Sequence, residues 1–438
     1  MFKNEDETKL YGVIVGYHNI SFVIDGFQCV FINAELDECH PTVVSSNNGF
    51  ILGKTTKMQY VYIYVGKDIE IQNQLTLNIW LYFISLDPKL EKYEIISFKG
   101  GILDKLFFKS AMSFNPEIMD NMGTKVTYRD DRLTFPLQNE KIKGKLVIGS
   151  NVRESLSAEN GNSVSNSETS LEIFFEEEKG IQTFSEMFNY VFSMCRFMVF
   201  RHNIRFKRIL LKRRSERISG ISEEIAECFI NYDETAETKK EIFRCITFNA
   251  LQGSICGLLD SIVNNTQKKP QFNIGFIPDN DKDVNMFSSM KVREVCSALE
   301  SELELGRIKA DQDQEFQALI DELKLIVKEH REGERRLDKK SYDYIFGTLD
   351  HLTNALAKRI EKCFIQYQPL IGESLTQKEI DAVVNYRNII THGNYMMLNA
   401  ELAETTFVLM KLVYCCVLKR IGLEDNVIKE LFEKKIIS

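Results

Sequence analysis

The hydrophobic pattern of this chain changes its period once, near residue 220, and that change limits the folds open to it. Before it, short runs such as YGVIVGY, SFVIDGF, QYVYIYVG, TLNIWLYFISL, KLVIG and LEIFFE are rich in β-branched and aromatic residues and punctuated by Gly or Asn, as strands and turns are. Beyond it, apolar residues recur at intervals of three and four, the spacing of amphipathic helices. One segment cannot bury the apolar face of the other period, so the two halves require separate layers or domains. At 438 residues the chain is also too long for one ordinary core. The expected class is α+β multidomain, with a β-rich, sandwich-like N-terminal domain over 1–218, a helical connector over 219–283 and an all-α bundle over 284–438.

Within the β-rich part, Ser150–Ser170 is poor in apolar residues and rich in Ser and Asn, which predicts a mobile loop inside the domain. Thr183–Phe200 predicts an amphipathic helix packed on the sheet. Arg201–Arg217 follows, with eight Lys or Arg against one Glu. Arg205, Lys207, Arg208, Lys212, Arg213 and Arg214 are the candidate phosphate contacts of an RNA-binding strand or ribbon. An edge strand whose charges discourage sheet-to-sheet pairing is the equal alternative.

In the helical part, ISEEIAECFINY and KKEIFRCITFNALQGSICGLLDSIV read as helices, and TQKKPQFNIGFIPDNDKD as a break. Helices are then expected over Met286–Leu305, Gln314–Arg331, Ser341–Tyr367, Thr376–Thr391, Leu398–Arg420 and Glu424–Lys434. A formal net charge of −8 gives no global basic field, so any RNA contact must rest on local patches. The ten cysteines are scattered without a CxxC, which fits reduced buried thiols. Cys39–His40 reads as structural, and no histidine has metal-ligand spacing, so neither a metal nor a cofactor is expected. Nucleotide-binding and hydrolase fingerprints are absent. An acidic N-terminus without an apolar stretch, and apolar runs far short of a membrane helix, predict a soluble cytoplasmic protein with no membrane contact.

The most informative stretch is TQKEIDAVVNYRNIITHGN, Thr376 to Asn394. Thr376 and Glu379 form a capping box, and Gly393 is a left-handed stop. Arg387, Asn388 and His392 lie near the C-terminal end, where polar groups can face a cleft or a partner; these are the candidate catalytic residues. The spacing R-N-x-x-x-H is short enough to recur by chance, and Arg196 with His202 is a second match, set aside because it lies in an apolar helix of the β-rich domain.

The polar residue after Arg387, the Gly after His392 and the position at the end of a capped helix in a C-terminal bundle resemble the HEPN superfamily. Its ribonuclease members carry an Arg, a polar residue next to it, and a His four to six residues away. The order of a β-rich domain before the bundle is similar to the ApeA-type anti-phage proteins. The motif resemblance covers Tyr386–Gly393, and the bundle resemblance about 285–436.

The resemblance implies a metal-independent endoribonuclease that cuts tRNA or other cellular RNA in abortive infection, a homodimer paired through the HEPN domain, and a possible phage-derived trigger on the N-terminal domain. The residues permit that chemistry. His392 can take the proton of a ribose 2′-hydroxyl or return one to the leaving oxygen. Arg387 can hold phosphate oxygens as their charge grows, and the Asn388 amide can orient the His or the phosphate. Residues five apart on an ideal helix diverge by about 140°. Convergence therefore requires that the helix unwind over Ile390–Gly393, or that two chains contribute across a two-fold axis. The alternatives are a histidine that only complements the helix dipole, and a non-catalytic dimerisation or RNA-binding module.

Overall fold

The computed structural model describes residues 9–34, 41–107, 132–156, 163–215, 218, 221–232, 244–266, 269, 271–310, 314–333, 336–353, 355–394 and 396–437. Cys39 and His40 lie outside them. Two compact units divide the chain: Met1–Val199 with Asn203–Cys256, and Phe200–His202 with Gly257–Ser438.

The first unit holds the strands β1 (Lys9–Ile14), β2 (Tyr17–Asp25), β3 (Gln28–Asn33), β4 (Thr42–Val44), β5 (Phe50–Thr55), β6 (Tyr60–Tyr64), β7 (Ile69–Ile71), β8 (Gln74–Asn78), β9 (Leu81–Ser85), β10 (Lys92–Lys99), β11 (Leu133–Gln138), β12 (Lys143–Leu156), β13 (Ser163–Gly180), β14 (Arg208–Arg214) and β15 (Ser222–Ile230). Thirteen of them form one sheet in the order β11-β12-β13-β10-β14-β15-β9-β6-β5-β1-β2-β3-β8, and β4 pairs with β7. The neighbours are antiparallel throughout. The expected β-rich domain is thus built on one large antiparallel sheet with a small ladder, whose Val44, Ile69 and Ile71 join the core made by Ile14, Phe22, Phe31, Ile63 and Ile84. Gly12 and Gly53 admit the Phe22 ring, since a Cβ at either would lie 2.6 or 2.4 Å from its Cε1.

Helix α1 (Leu103–Leu106) is a single turn, and α2 (Phe184–Val199) covers the sheet. Phe184 of α2 meets Phe83, and Phe188 meets Phe98 and Phe206. Burial of the apolar face of a helix against a sheet is its main source of stability, since propensity alone contributes little.

Two expectations for this unit are corrected. Ser150–Leu156 and Ser163–Ser170 are the paired ends of β12 and β13, in register from Ser150↔Thr169 to Leu156↔Ser163, and only 157–162 lie outside the described residues. Polar composition argues against burial, but a backbone ladder needs no apolar face to close. Ser222–Ile230, expected in a helical connector, is strand β15 between β14 and β9. Pairing on both sides overrides the local helical spacing.

The remaining helices are α3 (Phe248–Leu251), α4 (Ser254–Val263), α5 (Ser289–Leu305), α6 (Gln314–Glu332), α7 (Lys339–Thr353), α8 (Leu356–Ile371), α9 (Gln377–Thr391), α10 (Ala400–Arg420) and α11 (Asp425–Glu433). The single helix expected over Ser341–Tyr367 is two, α7 and α8, with Ala355 in a non-helical conformation at ψ 128°. The break lets α7 pack with α6 while α8 joins α9, α10 and α11. Helix α10 is the bundle's centre: Leu409, Leu412, Val413, Tyr414 and Leu418 are buried, and it packs on α5, α8 and α9. An apolar helix closed in on most sides belongs in a core.

Candidate functional site

Helix α9 starts and stops as its sequence predicts. The Thr376 hydroxyl accepts from the Glu379 N–H, and the Glu379 carboxylate accepts from the Thr376 N–H, so both halves of the capping box are present. At the other end Gly393 adopts φ +77°; its N–H donates to the Ile390 carbonyl and the Asn394 N–H to that of Ile389. This pair of bonds is the Schellman arrangement, which satisfies carbonyls the helix would otherwise leave open. His392 is the C-cap residue, and the helix continues unbroken to Thr391. The helix thus leaves its helical course only at His392 and Gly393, after Ile390 and Thr391.

Ile380, Val383 and Tyr386 are fully buried and anchor α9 on α5, α8 and α10. Each side chain contributes about 2 kcal/mol by burial. The Tyr386 hydroxyl also shares a 2.7 Å hydrogen bond with the Ser289 hydroxyl of α5. Arg387 lies seven residues after Ile380, so it falls on the flank of this buried face and its side chain is only 24% exposed. Its Nη2 donates to Glu300 Oε2 of α5 at 2.8 Å, and its Nη1 to Asn388 Oδ1 at 3.1 Å. Its Nε is shielded and has no partner. The Arg387 carbonyl accepts from the Thr391 hydroxyl at 2.7 Å. Burial pushes the Cys296 thiol of α5 up to about 12, against the opposing influence of Arg387.

Asn388 and His392 are four residues apart, share one face and are exposed. The Asn388 amide oxygen is engaged by Arg387, so this residue also steadies the arginine. Glu300, in the run CSALESELE, can be placed near the bundle centre from the sequence but reads there as an ordinary solvated helix acid; the structure brings it to Arg387. It follows Cys296 by four positions on α5 and so flanks a buried stripe, the one signal that could have marked it. Glu302, close by, is buried at 5% exposure and held by Arg420 through Nε and Nη2, each at 2.8 Å.

The basic run lies elsewhere. Strand β14 is hydrogen-bonded to β10 on one side and β15 on the other, so it is an interior strand and the edge-strand explanation fails. Five of its six candidate cations have carboxylates beside them: Lys207–Glu168 (3.9 Å), Arg208–Glu227 (2.9 Å), Lys212–Glu172 (2.5 Å), Arg213–Asp87 (3.9 Å) and Arg214–Glu94 (3.6 Å). Arg205 accepts a hydrogen bond from the Ile102 N–H through its carbonyl. Acids distant in sequence therefore offset most of the local charge excess. Among the described residues, no cluster of three or more His, Cys, Asp or Glu is placed to hold a metal ion. No described helix is long and apolar enough to cross a membrane.

Residues 299–427, from the middle of α5 into α11, match the family model for the Apea-like HEPN domain. The helical unit carries that domain, and a β-rich region followed by a helical one fits an ApeA-type HEPN protein. At the level of the family, the match supports a HEPN nuclease role in anti-phage defence. No curated protein matches the chain significantly, and neither does any solved structure.

Proposed function

From the Apea-like HEPN domain as premise, we propose that this chain is a metal-independent endoribonuclease that cuts tRNA or other cellular RNA in the cytoplasm during abortive infection. The observation that carries the reading is the end of α9, which falls inside the matched segment and bears Arg387, Asn388 and an exposed His392. Glu300 and Asn388 each take one arm of the Arg387 guanidinium, which leaves a fixed fork with donors to spare for a phosphate. His392 removes the 2′-hydroxyl proton or protonates the leaving oxygen. Attack of the 2′-oxygen on the adjacent phosphorus breaks the chain and leaves a 2′,3′-cyclic phosphate. Arg387 stabilises the charge that develops on the phosphate oxygens.

Since α9 stays helical through Thr391, Arg387 and His392 of one chain diverge. A site that uses both is built from two copies of α9 about a two-fold axis, each Arg387 reaching toward the partner's histidine. A homodimer through the HEPN domain is accordingly part of the proposal, as is sensing of a phage-derived trigger by the β-rich unit.

The test is expression of the wild type beside His392→Ala and Arg387→Ala, with total RNA examined for new fragments. Wild-type protein should produce fragments and slow growth, with activity that survives EDTA; both variants should fold and be silent. Folded variants that cut RNA at the wild-type rate would refute the assignment and favour a bundle that only dimerises or binds RNA.

A further inference from the structure

Helices α8 and α10 bring two thiols together in the interior of the bundle. Cys363 and Cys416 are both buried, and their sulfur atoms lie 3.4 Å apart. Disulfide sulfurs are about 2.05 Å apart, so the two must close by about 1.4 Å. A change of that size falls within side-chain rotation and small helix shifts. Cys415 is also buried, but it points about 100° further round α10. Among the other described cysteines only Cys256 is not buried.

We propose that Cys363 and Cys416 are a modification site: a thiol pair that hydrogen peroxide converts into a reversible disulfide, tying α8 to α10. Cys416 retains slight exposure and reacts first. Its thiolate attacks one peroxide oxygen, forming a sulfenic acid and releasing hydroxide, which takes up the thiol proton as water. The Cys363 thiolate then attacks the sulfenic sulfur, forming the S–S bond and expelling a second water. Two thiols lose two electrons and two protons, and the peroxide is reduced to two waters. The hydrogen bond to Cys363 and burial hold the Cys416 thiol well above its ordinary range, so thiolate is scarce at neutral pH. Both helices pack on α9, so a crosslink between them stiffens the frame around it. The inference stands on the sulfur geometry and does not depend on RNA cleavage.

The experiment uses the full-length reduced protein, treated with hydrogen peroxide, alkylated and mapped by mass spectrometry without reduction. Modification of Cys256, the one partly exposed thiol among the described residues, reports that the oxidant has acted. A peptide joining Cys363 to Cys416 should appear and vanish on reduction. Because the link spans 53 residues, the helical transition should rise by about 5–10 °C. Cys363→Ser and Cys416→Ala should each lose both the linked peptide and the rise; if either fails to fold, the wild-type map and its reversal decide alone. Three results would overturn the proposal: both thiols still open to alkylation after unfolding once Cys256 has reacted, Cys415 in the link in place of Cys416, or a Cys416 sulfinic acid without any link.

Discussion

Glu300→Gln separates the positioning of Arg387 from its presence. The substitution keeps the side chain's length and one acceptor oxygen but removes the charge. The Arg387–Glu300 contact is 2.8 Å, with the two side chains 24% and 38% exposed. A pair this open to solvent contributes on the order of 0.2–1 kcal/mol to folding. Tm should therefore fall by no more than about 3 °C. The effect on cleavage should be larger, because a charge-assisted hydrogen bond is roughly twice as strong as a neutral one and here fixes one arm of the guanidinium. If about 1.4 kcal/mol of orientation is lost from the transition state, the rate falls about tenfold. Glu300→Ala, which leaves no acceptor, should fall further, on the order of 100-fold, as a loosened catalytic group does. The assay is the initial rate of RNA cleavage at matched protein concentration, with thermal unfolding measured in parallel. Wild-type cleavage by folded Glu300→Gln would refute the positioning role. Faster cleavage would mean that Glu300 restrains Arg387 instead.

Arg420→Met leaves the Glu302 carboxylate buried without its partner and also removes bonds to the Ser261 hydroxyl and the Gln271 carbonyl. It should cost about 3–5 kcal/mol, seen as a fall of about 10 °C in Tm; adding Glu302→Leu should restore most of it, and a single variant as stable as wild type would contradict the ion pair. Thr376→Ala should cost about 1 kcal/mol through the lost N-cap. The Thr376 side-chain hydrogen bond, then that from its backbone N–H, holds the Glu379 carboxyl below its usual 4.5. A group depressed on folding stabilises above its unfolded pKa and loses that contribution as pH falls through its folded one. Acid titration below pH 4.5 should thus weaken wild type more than Thr376→Ala, and parallel curves would exclude the linkage. Mixing Arg387→Ala chains with His392→Ala chains should restore part of the RNA cleavage if the site is shared; mixed dimers without recovery would mean it is not.

Helix α9 was legible from its residues alone because every signal that defines it acts within one or two turns. Thr376 caps through Glu379 three residues away, Gly393 closes the helix on Ile389 and Ile390, and Ile380 with Val383 recurs at the helical period. The β-rich character of the chain before residue 200 was legible for the same reason, since alternation is a property of neighbours, while the polar ends of β12 and β13 carried no such signal. What a side chain meets across the fold is not encoded in its neighbours. Glu300 lies 87 residues from Arg387, and its place beside the buried stripe of α5 was outweighed by the usual reading of a helix acid as solvated. The basic run stood out as an uncompensated patch because Glu172, Asp87 and Glu94 reach it only through the sheet. The helical spacing of Ser222–Ile230 lost to pairing with β14 and β9, strands that begin 14 residues upstream and end 137 residues upstream of Ser222 (222 − 208 and 222 − 85). Local propensity is worth a few tenths of a kcal/mol per residue, whereas a strand inside a sheet satisfies its backbone on both edges, so tertiary pairing decides wherever the two disagree.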